Sequence, residues 1–105
     1  INVHFCKQGE VNPEDRQSSS QSVGSPIEDL FEVIHYERGV GLTQACGTGA
    51  GAVAFHHFET GFISREHWVG IDVPGGRLYV RNANAEEPIE LAGPAKWVFN
   101  GVTEI

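Results

Sequence analysis

Tyr36-Glu37-Arg38-Gly39-Val40-Gly41-Leu42-Thr43-Gln44-Ala45-Cys46-Gly47-Thr48-Gly49-Ala50 places one cysteine directly before a glycine-rich run that opens an apolar helix. The first N–H groups of a helix have no partner within it, and the aligned peptide dipoles leave partial positive charge there. That field favours an anion, whether a thiolate or a bound carboxylate. Gly47 and Gly49 allow a ligand to approach the backbone closely. Glu37 and Arg38 add a carboxylate for an ammonium group and a guanidinium for an oxyanion. The stretch therefore reads as a locus for acid/base chemistry on a small charged molecule. The competing reading, that Cys46 is a small buried core residue, stands beside it, because free cysteines are often buried.

The elements around this stretch set the fold class. Ile1 to Lys7 alternates and reads as a strand. Gln8 to Pro26 is a polar run with Pro13, Gly24 and a Ser/Gln tract, and segment 8–29 as a whole is expected as a polar loop insert. Leu30 to Tyr36 reads as a strand with Phe31, Val33 and His35 on one face. Residues 37–47 are expected to be a loop. A helix is expected from Thr48 to about Thr60, stopped by Gly61. Its small, apolar character predicts burial. Residues 68–73 and 78–81 read as a hairpin about Pro74–Arg77. Ile89–Leu91 and Ala95–Phe99 read as two short strands. The sum is an α+β fold, a mostly antiparallel sheet wrapped around one central helix.

Length and composition bound the rest. The 105 residues fit a single domain, and 40% hydrophobic with 20% charged residues is ordinary for a globular protein. The net charge of −7 argues against nucleic acid as the main partner. No apolar run approaches the ~20 residues of a membrane span. The start has no secretory pattern. The sequence lacks Met, so it reads as a fragment of a longer chain. Its two cysteines fit a reducing, cytoplasmic setting better than a disulfide scaffold.

The remaining side chains carry weaker signals. Cys6, on a strand and outside any glycine-rich helix start, is expected in the core. His56 and His57 are neighbours on a helix and point apart, so no metal site is expected. His4, His35 and His67 show no pattern. Lys7 and Lys96 lie in no pyridoxal-type motif, and no cofactor is expected. Trp68 and Trp97 read as core or lobe-interface anchors.

Glu37-Arg38-Gly39-Val40-Gly41 and Ala45-Cys46-Gly47-Thr48-Gly49-Ala50 together resemble the C-terminal signature of diaminopimelate epimerases. Val73-Pro74-Gly75-Gly76-Arg77-Leu78-Tyr79-Val80, Leu91-Ala92-Gly93-Pro94-Ala95, Val98-Phe99 and Gly101 fit as well. The resemblance spans the chain apart from 8–29. It implies that residues 1–105 are the C-terminal lobe of a two-lobed, cofactor-independent isomerase. Such enzymes interconvert LL- and meso-diaminopimelate on the route to lysine and peptidoglycan, with one cysteine from each lobe on opposite faces of the α-carbon. It implies further that Cys46 is this lobe's catalytic thiol and that Glu37 and Arg38 contact the substrate's amino and carboxylate groups. The backbone of Gly47 and Thr48 would hold the carboxylate, and Asn2 would bind substrate. The implied partners are the amino-acid substrate and the N-terminal lobe of the same enzyme, with a homodimer allowed, and the isolated lobe would be inactive. Leu42 stands where the family usually has Glu. A related two-cysteine racemase for another amino acid therefore stays open, as does a non-catalytic amino-acid-binding or interaction lobe.

Overall fold

Ile27 to Glu37 is an eleven-residue strand whose side chains alternate buried and exposed from Phe31 to Tyr36, and this strand organises the molecule. The computed structural model describes residues 3–13, 23 and 26–104. In chain order the strands are β1 (Val3–Gln8), β2 (Ile27–Glu37), β3 (Gly41–Thr43), β4 (Trp68–Val73), β5 (Gly76–Arg81) and β6 (Glu90–Ala92). One helix, α1 (Gly47–Glu59), lies between β3 and β4. The strands form one sheet in the order β1-β2-β4-β5-β6, with β3 attached to β2.

β1 runs antiparallel along one edge of β2, from Val3 opposite Tyr36 to Gln8 opposite Phe31. The other edge is shared. β4 pairs with the first part of β2, up to Glu32 opposite Asp72, and that pairing is parallel. β3 pairs with the last part, His35 to Glu37, antiparallel. β2 thus changes partner partway along its length. The chain between the two partners contains α1, which makes the crossover that a parallel pair requires.

The core lies between α1 and the inner face of the sheet. Ala50, Val53, Ala54 and Phe58 of α1 join Phe31, Val33, Val69, Ile71, Val80 and Ile63 in one buried cluster. Each large apolar side chain in such a cluster stabilises the fold by ~1.5–3 kcal/mol. His57 packs its ring 4.2 Å from that of Phe31, and its Nδ1–H donates to the Val53 carbonyl at 2.8 Å. α1 ends as expected. Gly61 takes φ 73°, and the N–H groups of Gly61 and Phe62 donate to Phe58 and His57 carbonyls.

The α+β fold class is as expected, with a mostly antiparallel sheet in which β2 and β4 are the one parallel pair among the described residues. Several other expectations need correction. β2 begins at Ile27, three residues inside the segment expected as a loop, because Ile27 and Leu30 are both buried. The expected loop 37–47 contains β3. Residues 95–99 form no strand, and Trp97, Val98 and Phe99 are about four-fifths exposed. Cys6 is exposed, not in the core. It lies opposite Val33, but β1 is an edge strand of the sheet. Trp68 is half-buried, with the Arg81 guanidinium 4.5 Å over its ring. Asn2 and most of the 8–26 run lie outside the described residues.

Candidate functional site

The site is built where β2 exchanges β4 for β3. Glu37 closes β2 and pairs with Gly41, leaving a tight turn through Arg38, Gly39 and Val40. The Val40 N–H donates to the Glu37 carbonyl at 3.0 Å. Gly39 and Gly41 have φ of 81° and 87°, in the region that side-chain-bearing residues avoid. Those two glycines are the reason Glu37-Arg38 can sit on a reversal so short. Glu37 is half-buried and Arg38 exposed.

β3 then leads to Gln44, Ala45 and Cys46. The Gln44 carbonyl accepts the Gly75 N–H at 2.8 Å, from the turn between β4 and β5. A Cβ at Gly75 would lie 3.0 Å from that carbonyl oxygen, so the turn needs glycine to reach the segment. The Pro74-Gly75-Gly76 turn therefore buttresses the approach to Cys46.

Cys46 is the N-cap of α1, with extended backbone (φ −144°, ψ 106°). Its Sγ accepts the Gly49 N–H at 3.3 Å, and its carbonyl accepts the Ala50 N–H at 2.9 Å. The N–H groups of Gly47 and Thr48 have no carbonyl within the helix to reach. No acidic side chain occupies the first turn to compete for them. Gly47 backs onto Leu91 of β6, whose Cδ2 would lie 2.9 Å from an added Cβ. Cys46 and Gly47 are half-buried and Thr48 is exposed. The arrangement offers a sulfur, two backbone donors and a positive field at one helix end. That combination can bind a carboxylate beside a proton acceptor.

The sequence reading missed a histidine pair. The β1–β2 register sets His4 opposite His35. Their Nδ1 atoms are 2.7 Å apart and the rings meet edge to face at 4.8 Å. Both rings sit over Gly49, where an added Cβ would fall 2.5 Å from His4 Cε1 and 2.8 Å from His35 Cε1. His35 is fully buried and its Nε2 has no hydrogen-bond partner. Alternation placed His35 on the inner face; only the register between two distant strands could have revealed its partner.

His35 is also held below its ordinary pKa of 6.5, first by burial, then by His4, with Glu37 pulling the other way. The folded chain therefore binds this proton less readily than the unfolded chain. Stability contributed through His35 is flat above pH 6.5 and falls as the pH drops below it. Urea midpoints compared at pH 7.5 and pH 5 test the point. A His35→Val chain that keeps the same acid loss would overturn it.

Two clefts lie among the described residues. One of about 200 Å³ runs past Ala45 between Val73, Gly75, Gly76, Arg77, Leu78 and Pro94. Arg77 there is bound by Asp72 through two bonds of 2.6 and 3.1 Å. The larger, about 390 Å³, lies on the outer sheet face around Phe5, Ile34 and Val73 and does not touch Cys46. Among the described residues no group of three or more His, Cys, Asp and Glu could hold a metal, and no helix is long and apolar enough to cross a membrane.

No protein-family model matches the chain. Curated relatives do. The chain is 47% identical over 66 residues, 63% of its length, to the diaminopimelate epimerase of Pseudomonas aeruginosa, covering 23% of that protein. It is 46% identical over 84 residues to that of Thioalkalivibrio sulfidiphilus, covering 79% of the chain and 29% of the relative. It is 44% identical over 77 residues to that of Sphingopyxis alaskensis, covering 73% and 28%. The chain spans about a quarter of the length of the curated relatives it matches.

Proposed function

We propose that this chain, similar to diaminopimelate epimerases over most of its length, is the C-terminal lobe of such an enzyme and carries one of its two catalytic thiols. The observation that carries this reading is Cys46 as N-cap of a glycine-rich helix, its sulfur accepting the Gly49 N–H.

The proposed chemistry follows from the α-carbon of an amino acid. Its C–H is a very weak acid. Removing the proton leaves an electron pair that delocalises into the carboxylate. Backbone donors at the helix start, aimed at that carboxylate, stabilise the charge as it develops. Cys46, as thiolate, takes the proton from one face. A second cysteine on the other lobe delivers a proton to the opposite face, which inverts the centre. In the reverse direction the two exchange roles. The electron pair returns to carbon, so the reaction balances with no cofactor. Glu37 would face the substrate ammonium, Arg38 would face a carboxylate, and Asn2 would bind substrate.

Two features support a second lobe. The single helix end leaves one face of the substrate unserved. Trp97, Val98 and Phe99 are exposed and apolar, which suits a surface covered by another part of the protein. We place the enzyme in the cytoplasm, where both thiols stay reduced.

The test is α-proton exchange. The full protein is incubated in deuterated water with LL-diaminopimelate, meso-diaminopimelate and a panel of other amino acids. Deuterium enters the α-carbon of the diaminopimelates. Exchange confined to a different amino acid would replace the substrate and keep the mechanism. No exchange with any of them would leave a binding lobe.

A further inference from the structure

We propose that His35 is a positioning residue that fixes His4 as its Nε2–H tautomer beside the thiol end of α1. The argument begins with the 2.7 Å contact between the two Nδ1 atoms. Such a contact between neutral imidazoles needs one N–H and one lone pair, so only two arrangements exist. In the first, His4 donates from Nδ1 and His35 carries its proton on Nε2. That nitrogen is buried and has no partner, so a donor would be stranded in the core. Stranded buried N–H groups are rarer than stranded acceptors. In the second, His35 donates from Nδ1 and leaves only a lone pair buried at Nε2. His4 then accepts at Nδ1 and carries its proton on Nε2. His4 is only half-buried, so its Nε2–H can be satisfied by water or by a ligand. The second arrangement strands no donor.

The pair bears on the site through one residue. The Gly49 N–H donates to Cys46 Sγ at 3.3 Å, while the Cβ that Gly49 lacks would run into both imidazoles. The rings and the sulfur therefore flank the same glycine. His4 turns its Cε1 edge to Gly49, and Nε2 is bonded to that Cε1, so fixing the tautomer fixes whether the nitrogen next to this edge donates or accepts. A donor there complements a carboxylate or a thiolate; a bare nitrogen would repel both. The depressed proton affinity of His35 agrees, since the buried partner stays neutral while it acts as the donor.

The tautomer is read directly from ring nitrogen chemical shifts of the full protein. The expected spectrum shows His4 with an unprotonated-type Nδ1 and a protonated-type Nε2. His35→Val removes the donor, and His4 then averages between tautomers. His35→Asn returns an N–H near the former Nδ1 position and restores the native pattern. A native His4 protonated on Nδ1 overturns the proposal, as does an unchanged His4 in His35→Val. Should His35→Val fail to fold, the native and His35→Asn spectra decide alone. The kinetic arm rests on the proposed epimerase reading. There His35→Val lowers kcat roughly five- to tenfold, the worth of one hydrogen bond, with KM nearly unchanged, and His35→Asn recovers most of it. A shifted tautomer with unchanged kcat overturns the role in the site. The spectrum needs no turnover, so failure of the epimerase reading and failure of this one are told apart.

Discussion

On the proposed reading, Cys46→Ala in the full protein abolishes epimerisation, with kcat falling by at least about a thousandfold. Proton transfer by a positioned side chain is worth ~10²–10⁴-fold, and in an epimerase the same thiol serves as base in one direction and acid in the other. Folding barely changes. The sulfur accepts a single 3.3 Å bond from Gly49, a weak cap whose loss costs no more than about 1 kcal/mol. Cys46→Ser separates the two roles. A serine hydroxyl is a better N-cap than a thiol, so the helix is held at least as well, while a hydroxyl is far too weak an acid to supply the base. The expected result is a folded, inactive protein in both variants. Epimerisation retained in Cys46→Ala would overturn the assignment of Cys46. Loss that tracks unfolding in both variants would return the residue to a structural role.

Phe31→Ala has the largest expected effect on stability. Phe31 is 2% exposed and sits on β2 beneath α1, with the rings of His57 and Phe62 at 4.2 and 6.3 Å. Truncating a buried phenylalanine costs ~3–5 kcal/mol through lost transfer energy and the cavity left behind. Domains of this size are stable by only ~5–15 kcal/mol, so about a fifth or more of the margin is at stake. The consequence reaches the site, because β2 carries His35 and Glu37 farther along the same strand. Denaturant unfolding should show a lower midpoint with an unchanged slope. A loss below about 1 kcal/mol would mean that α1 collapses onto the gap and that the packing here is loose.

The helix and its stop were legible because they are local. Small apolar residues after Cys46 and a glycine at 61 act within one or two turns, and the structure has α1 over Gly47–Glu59. The face of β2 was legible for the same reason, since alternation alone puts Phe31, Val33 and His35 inward. The β4–β5 hairpin followed from Pro74-Gly75-Gly76. Residues 95–99 misled because they are apolar and alternate in part. A strand needs a neighbour, and among the described residues none is beside them. Cys6 misled because residue type carries no information on whether a strand is central or at an edge.

What the sequence determined by itself was a thiol at the start of a glycine-rich helix, preceded by an acid-base pair on a glycine turn. Those features depend on neighbours within fifteen residues, where backbone sterics and helix-end electrostatics act. Only the tertiary structure decided that β2 pairs in parallel with β4, that Gly75 holds the approach to Cys46, and that His4 meets His35 over Gly49. Each joins segments about thirty or more residues apart. Registers at that separation are chosen by the burial of the whole inner face at once, a sum that no local pattern contains.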